Sequence, residues 1–582
     1  MKNHVISFLF VLLSLLCTAC NEDTTFLSVN KTTIEFTADG GTEFFTIETD
    51  ASTWTIEHSN PDWLSISSTE GTGPKAMITL STKGRVLEPQ STILYIKAGN
   101  STVELLVSQA SADYIYTLSA SAALSVFTEL QQSTTLSITG NVPSWTATCA
   151  ADWIHLSENE GTSSKEITLT IDQNSTGNER FDSVLIAGDG AKTCVIVLKQ
   201  KGPLYPSYNT NPIAADISNM TRTATQIAAD IDLGWNLGNS LEAIGGETNW
   251  GNAKATQRLI DSIAARGINA IRIPCAWNQY SNGLTAKIGD TWLARVKEVV
   301  DYCVNRNIYV LLNVHWDGGW LDGNCTTSKQ YETNAKQKAF WEQIATYFRD
   351  YNDYLLFAGC NEPSVENATQ MSVLLSYEQT FIDAVRATGG RNAYRTLVVQ
   401  GPATDIDKTY TLMKTLPTDP TSGRMMAEVH YYTPYQFCLM ESDATWGNMF
   451  YFWGANYHYN GTIDGINRNA NWGEEDDMRT LFGKMRTQFV NKGIPVILGE
   501  YCATRRSNLP TEVQELHNQS RAYFHEYVTQ QAKIYGMVPF YWDNGGSGNL
   551  ASGIFNRSSG VVFDPVTMSA LVRGASAGVY PY

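Results

Sequence analysis

At 582 residues the chain is too long for one hydrophobic core and implies three or four domains. Its 43% apolar and 11% aromatic content is globular, and a net charge of −17 argues against nucleic acid, because phosphate binding needs a basic surface. Fifteen Trp and 28 Tyr exceed what cores of this size need and suit stacking platforms for sugars or bases.

Residues 1–20 read as a signal peptide: Lys2 and His4, the apolar stretch Val5 to Leu16, then Cys17-Thr18-Ala19-Cys20. That stretch is shorter than the roughly 20 residues that span a bilayer. The small residues before Cys20 resemble a bacterial lipobox, with Cys17 where Leu is usual, which implies cleavage before Cys20 and lipidation of that cysteine. Asn21-Glu22-Asp23 resembles the acidic signal that carries Bacteroidetes lipoproteins to the outer surface. The expectation is an outer-membrane lipoprotein at the cell surface, held by its lipid anchor. Plain secretion is the alternative. Past Cys20 the cysteines show no CxxC pair and no zinc spacing, so no metal is expected; whether Cys149 and Cys194 pair stays open.

Residues 25–110 and 114–201 repeat one another at a spacing of about 91 residues. Trp54-Thr55 matches Trp145-Thr146, Asp62-Trp63-Leu64 matches Asp152-Trp153-Ile154, Glu70-Gly71-Thr72 matches Glu160-Gly161-Thr162, and Gln109 matches Gln200. Short alternating runs between Gly, Asn and Ser turns predict tandem Ig-like β-sandwiches. The pattern resembles the BACON modules of Bacteroidetes surface proteins. The alternation around Trp63 and Trp153 favours core packing over sugar binding, which makes the modules spacers.

Residues 202–218, rich in Pro, Ser and Asn, are predicted to be a linker. Over 219–582, apolar runs alternate with helical patterns at Ala255 to Arg266, Leu293 to Asn305, Phe340 to Asp350 and Glu378 to Thr388. Eight strand candidates end near Asn236, Pro274, Val314, Cys360, Gln400, His430, Gly499 and Trp542, which predicts a (β/α)8 TIM barrel. Polar and aromatic groups crowd those ends, and two of the runs finish in glutamate: Asn361-Glu362-Pro363 and Gly499-Glu500. Two carboxylates delivered to one mouth suit glycosidic cleavage.

At these residues the sequence resembles glycoside hydrolase family 5, and most of all its subfamily 4, which contains endo-β-1,4-glucanases, lichenases and xyloglucanases. The resemblance implies a retaining reaction with Glu362 as acid/base and Glu500 as nucleophile. Arg272, His315, Asn361, His430, Tyr432 and Trp542 match the family's substrate-binding positions. Trp316 departs from it, standing where members commonly have a second His, and Tyr501 replaces Phe. The roles set physical expectations: Glu500 ionised, its pKa held down by Arg272 and Tyr432, and Glu362 raised in a less compensated place. The aromatic insertion Trp446 to Trp453, with Tyr457 and Tyr459, either packs as a satellite core or walls a bound chain.

The expected protein is a monomeric, cofactor-free endo-β-1,4-glucanase whose partner is a β-glucan, with xyloglucan or mixed-linkage glucan foremost. A mannanase or xylanase, or a surface protein that binds glycan without cutting it, are the alternatives.

Overall fold

The computed structural model describes residues 25–59, 61–84, 86–112, 115–162, 164–174 and 176–582. The expected signal peptide and Cys20 lie outside the described residues. The chain divides into two compact units between Gly202 and Pro203.

The N-terminal unit contains two sandwiches of identical topology. In the first, the strands Leu27–Val29, Gly41–Thr49, Lys75–Thr82 and Leu64–Ile66 form one sheet, and five further strands form the other. The second repeats the strand order. Alternating residues feed a core shared by both sheets: Phe45, Ile47 and Ile78 from one, Trp54, Leu94 and Leu105 from the other. The tryptophans that fill the centres are Trp54 and Trp145, both nearly inaccessible. A Cβ on Gly71 would lie 2.3 Å from the Trp54 ring, and one on Gly161 2.4 Å from Trp145. The repeated Glu-Gly-Thr thus leaves the glycine's place to an indole. Trp63 and Trp153, expected in the core, pack only at its edge, half-buried, with the Arg180 guanidinium 4.4 Å over Trp153. Cys149 and Cys194 are unbridged.

The C-terminal unit is a closed barrel of eight parallel strands. They are β1 (Gly234–Leu237), β2 (Ala270–Ile273), β3 (Tyr309–Asn313), β4 (Leu355–Ala358), β5 (Leu397–Gln400), β6 (Met425–Tyr431), β7 (Val496–Tyr501) and β8 (Met537–Asp543). Each ends within two residues of its predicted position. β1 to β5 and β7 are buried at every position, because barrel interior and helices cover both faces. Helices that cover the barrel include α1 (Gln257–Ala264), α2 (Asp290–Val304), α3 (Gln330–Tyr347) and α4 (Ala368–Ala387). α3 and α4 begin ten residues before the predicted helical stretches; Asn367 caps α4 by accepting a hydrogen bond from the backbone N–H of Gln370. A short helix, Ala224–Asp230, opened by a Thr223–Gln226 capping box, clusters with Leu311, Leu356, Val398 and Ile497 and plugs the N-terminal end. Among the described residues, that leaves the C-terminal mouth as the open end of the barrel.

Residues 203–218 are not a free linker. Glu342 on α3 accepts from Ser207 Oγ at 3.0 Å and from the Tyr208 N–H at 2.6 Å, the Tyr208 hydroxyl donates to the Thr285 carbonyl, and Ile213–Ala215 pairs with Gly389–Gly390. Composition alone hid this, because the anchoring carboxylate lies far along the chain.

Candidate active site

Parallel strands deliver side chains to the mouth in register. Asn236 on β1 aligns with Arg272 on β2 and with Trp542 on β8, and His430 on β6 aligns with Glu500 on β7, beside a bulge at Val429/His430. Such a bulge re-aims the side chains next to it.

Arg272 is the hub, with no solvent exposure. Its Nη1 donates to Glu500 Oε1 at 2.8 Å and to Asn236 Oδ1 at 3.0 Å, its Nη2 donates to Asn361 Oδ1 at 2.7 Å, and its Nε lies 2.9 Å from Glu428 Oε1. Tyr432 donates its hydroxyl to the other Glu500 oxygen at 2.9 Å. Three of the expected residues, Arg272, Asn361 and Tyr432, therefore gather at Glu500, which is itself buried.

His430 bridges the two glutamates. Its Nδ1 lies 2.7 Å from Glu362 Oε1 and 3.7 Å from Glu500 Oε2, and its Nε2 faces Glu428 at 3.4 Å. Burial would lower the imidazole's pKa, but the charge of Glu500 and the bonds to Glu362 and Glu428 raise it to about 9, so it is cationic at neutral pH. Glu362 is the open member, its side chain 44% exposed, and its backbone N–H donates to the buried Asp322 carboxylate at 2.9 Å.

The two glutamates depart from the expected order. Desolvation would lift Glu362, but the hydrogen bond and charge of His430, with Arg272 behind, hold its carboxyl below the ordinary value. Burial is also the largest influence on Glu500 and lifts it, against the pull of His430 and Arg272. Arg272 and Tyr432 do contact Glu500 as expected. What the residue list could not convey is that one cationic imidazole touches Glu362 directly and that Glu500 is deeply buried.

His315 and Trp542 form a separate stacked pair at the mouth, ring centroids 5.8 Å apart and 8° from parallel. The Asn313 amide is oriented by the Cys275 N–H donating to its Oδ1 at 3.1 Å, so its Nδ2 donates to His315 Nδ1 at 3.1 Å. The His315 proton therefore sits on Nε2. Burial and the neighbouring cations Arg272 and His430 keep this ring neutral, far below its usual pKa. Trp316 is 49% exposed just beyond β3.

Sequence reasoning missed Glu428. It has no solvent exposure, touches Arg272 and His430, and accepts from Gln400 Nε2. The signal was available: Glu428 lies two residues before His430 on a strand, where alternate residues share a face. A Cβ on Gly499 would lie 2.0 Å from Glu428 Oε1, so the residue before Glu500 must be glycine for the carboxylate to fit.

Single ligand atoms of Glu362, His430 and Glu500 lie within 4.8 Å of one another. Both carboxylates already face the cations His430 and Arg272, so the trio's chemistry is that of a proton-transfer and nucleophile pair.

Comparison with known proteins agrees with this geometry. A family model described as cellulase, glycosyl hydrolase family 5, matches residues 236–548. BACON models match residues 26–112, in a viral form, and 144–201. The chain is 33% identical over 448 residues to a xyloglucan-specific endo-β-1,4-glucanase of Bacteroides ovatus, covering 74% of this chain and 86% of that one. Among solved structures, a Bacteroides ovatus GH5 xyloglucanase in complex with a XXXG heptasaccharide superposes with a TM-score of 0.58 at 31% identity, over 79% of this chain and all of that one. A GH5 xyloglucan-specific β-1,4-glucanase from a ruminal metagenomic library, in complex with XXLG, gives 0.58 at 40% identity over 62% and 98%.

Proposed function

The chain belongs to glycosyl hydrolase family 5, and from that premise we propose that it is a retaining endo-β-1,4-glucanase acting on xyloglucan first and on mixed-linkage or cellulose-type glucan second. One observation carries the reaction type: oxygens of Glu362 and Glu500 approach within 4.8 Å. Carboxyl groups about 5–5.5 Å apart leave no room for the water that an inverting enzyme places between base and sugar.

Glu500 attacks the anomeric carbon, oriented by Arg272 and Tyr432 on its two oxygens. Glu362 protonates the departing glycosidic oxygen, then takes a proton from the water that hydrolyses the glycosyl-enzyme bond. Its proton comes from His430, which holds one 2.7 Å away. A pyranose covering Glu362 excludes water and favours the neutral carboxyl, so the proton crosses to Glu362 as the sugar arrives. With Oδ1 committed to Arg272, Asn361 has its Nδ2 donors left for the 2-hydroxyl of the bound sugar. Trp542, stacked with neutral His315, supplies the flat apolar face.

The xyloglucan preference is supported by the relatives' specificities. The lipobox-like Cys20 supports a surface-anchored protein. The test is reducing-end release and viscosity loss on xyloglucan, barley β-glucan, carboxymethylcellulose, mannan and xylan, with Glu500→Gln as control. Rapid viscosity loss on xyloglucan, abolished in the control, is the expected result; preference for mannan or xylan overturns the substrate reading.

A further inference from the structure

The insertion between β6 and the helix Glu475–Gln488 uses its aromatic residues in two ways. Phe452 and Trp453 are fully buried, Tyr451 nearly so. Trp446 and Trp472, from the same insertion, are 64% and 45% exposed. Indoles left in water beside a formed core cost hydrophobic stabilisation and mark a surface used for binding.

Their position gives that surface a substrate. Trp472 lines a cavity of about 420 Å³ with Glu362, His430, Tyr432 and Tyr435. It also lines a second, of about 510 Å³, with Trp446, Gln436, Asn448 and Asn471. The two cavities share Trp472 and so form one continuous wall. Trp446 leans on Tyr435, ring centroids 6.2 Å apart. Glu362 lines this path, while Glu500, His315 and Trp542 do not. An acid/base must stand on the leaving-group side of the scissile bond, so a groove lined by Glu362 and not by Glu500 runs in that direction.

Resting on the glucanase reading above, we propose that Trp472 and Trp446 are stacking platforms for the leaving-group half of the β-glucan, and that amides such as Asn448 and Asn471 meet its hydroxyls. Pyranose rings offer apolar C–H faces to indoles and hydroxyls to amides, and the second cavity, lined by Gln436, Asn448 and Asn471 with no carboxylate, suits a neutral polymer.

The test uses the full chain and its Trp472→Ala and Trp446→Ala variants. For each, kcat/KM is measured on xyloglucan and on an aryl β-cellotrioside whose activated phenol is the only group on the leaving side. The expected result is a polymer-to-aryl ratio about tenfold lower in Trp472→Ala, with a smaller loss in Trp446→Ala carried by KM. Retention of aromatic stacking in Trp472→Phe should restore most of it. An unchanged ratio, or an equal loss on both substrates, overturns the proposal. A wild-type enzyme that opens the aryl glycoside and no β-glucan overturns the glucanase reading itself.

Discussion

Glu428 Oε1 stands 2.9 Å from Arg272 Nε, and neither side chain has any solvent exposure. A buried guanidinium needs counter-charge, and Arg272 has it on two sides, from Glu428 beneath and Glu500 above. Glu428 is thus a positioning residue: it fixes the cation that orients Glu500, and its contact with Nε2 helps to charge His430.

Glu428→Gln keeps the shape and removes the charge. kcat/KM should fall roughly ten- to a hundredfold, the scale of a small displacement at a reacting centre. His430 should also lose one of the three carboxylates that raise it to about 9. The alkaline limb of the pH–rate profile should therefore move to lower pH. A merely structural role would lower the rate without moving that limb.

His430 links pH to stability as well as to rate. Its folded pKa of about 9 lies above the ordinary 6.5. Its contribution is thus fully present below about pH 6.5 and is lost as pH rises through about 9. Between pH 7 and 9.5 the Tm of wild type should decline more steeply than that of His430→Asn, measured by calorimetry. Parallel slopes would remove His430 from the linkage.

The two glutamates should separate by leaving group. Glu500→Gln removes the nucleophile and should abolish turnover of every substrate. Glu362→Ala should slow polymer hydrolysis roughly 10²- to 10⁴-fold yet spare glycosyl-enzyme formation from an aryl glycoside that needs no protonation. Added azide, which needs no general base, should then speed turnover of the aryl substrate. Loss of the burst with an activated aryl glycoside in Glu362→Ala would contradict the assignment.

The barrel was legible because each parallel strand is a continuous apolar run that stops at a polar or aromatic residue; Asn236, His430 and Glu500 lie at such stops. Glu428 escaped because it lies inside a run that otherwise reads as core, and only the period of two exposes it. The start of α3 escaped because its first turns are polar, whereas that of α4 was legible in Met371, Leu374 and Tyr377 at helical spacing and in the cap Asn367. The departure at Glu362 and Glu500 depends on where one imidazole sits between strands β4, β6 and β7. That is a distance, which residue types cannot supply.

Trp453 tests whether the insertion's core and its wall are one structure. It is fully buried against Phe524, ring centroids 5.1 Å apart, and its Nε1 donates to the Gly473 carbonyl at 2.8 Å, next to Trp472. Trp453→Ala removes a large core side chain and should cost about 3–5 kcal/mol, visible as a lowered Tm. Trp453→Phe keeps much of the packing and removes only the N–H that tethers Gly473, so its Tm should fall less. If that tether positions Trp472, Trp453→Phe should still lose activity on xyloglucan relative to the aryl glycoside, in the same direction as Trp472→Ala. A Trp453→Phe enzyme with the wild-type ratio would show that the platform is held by the backbone of its own loop.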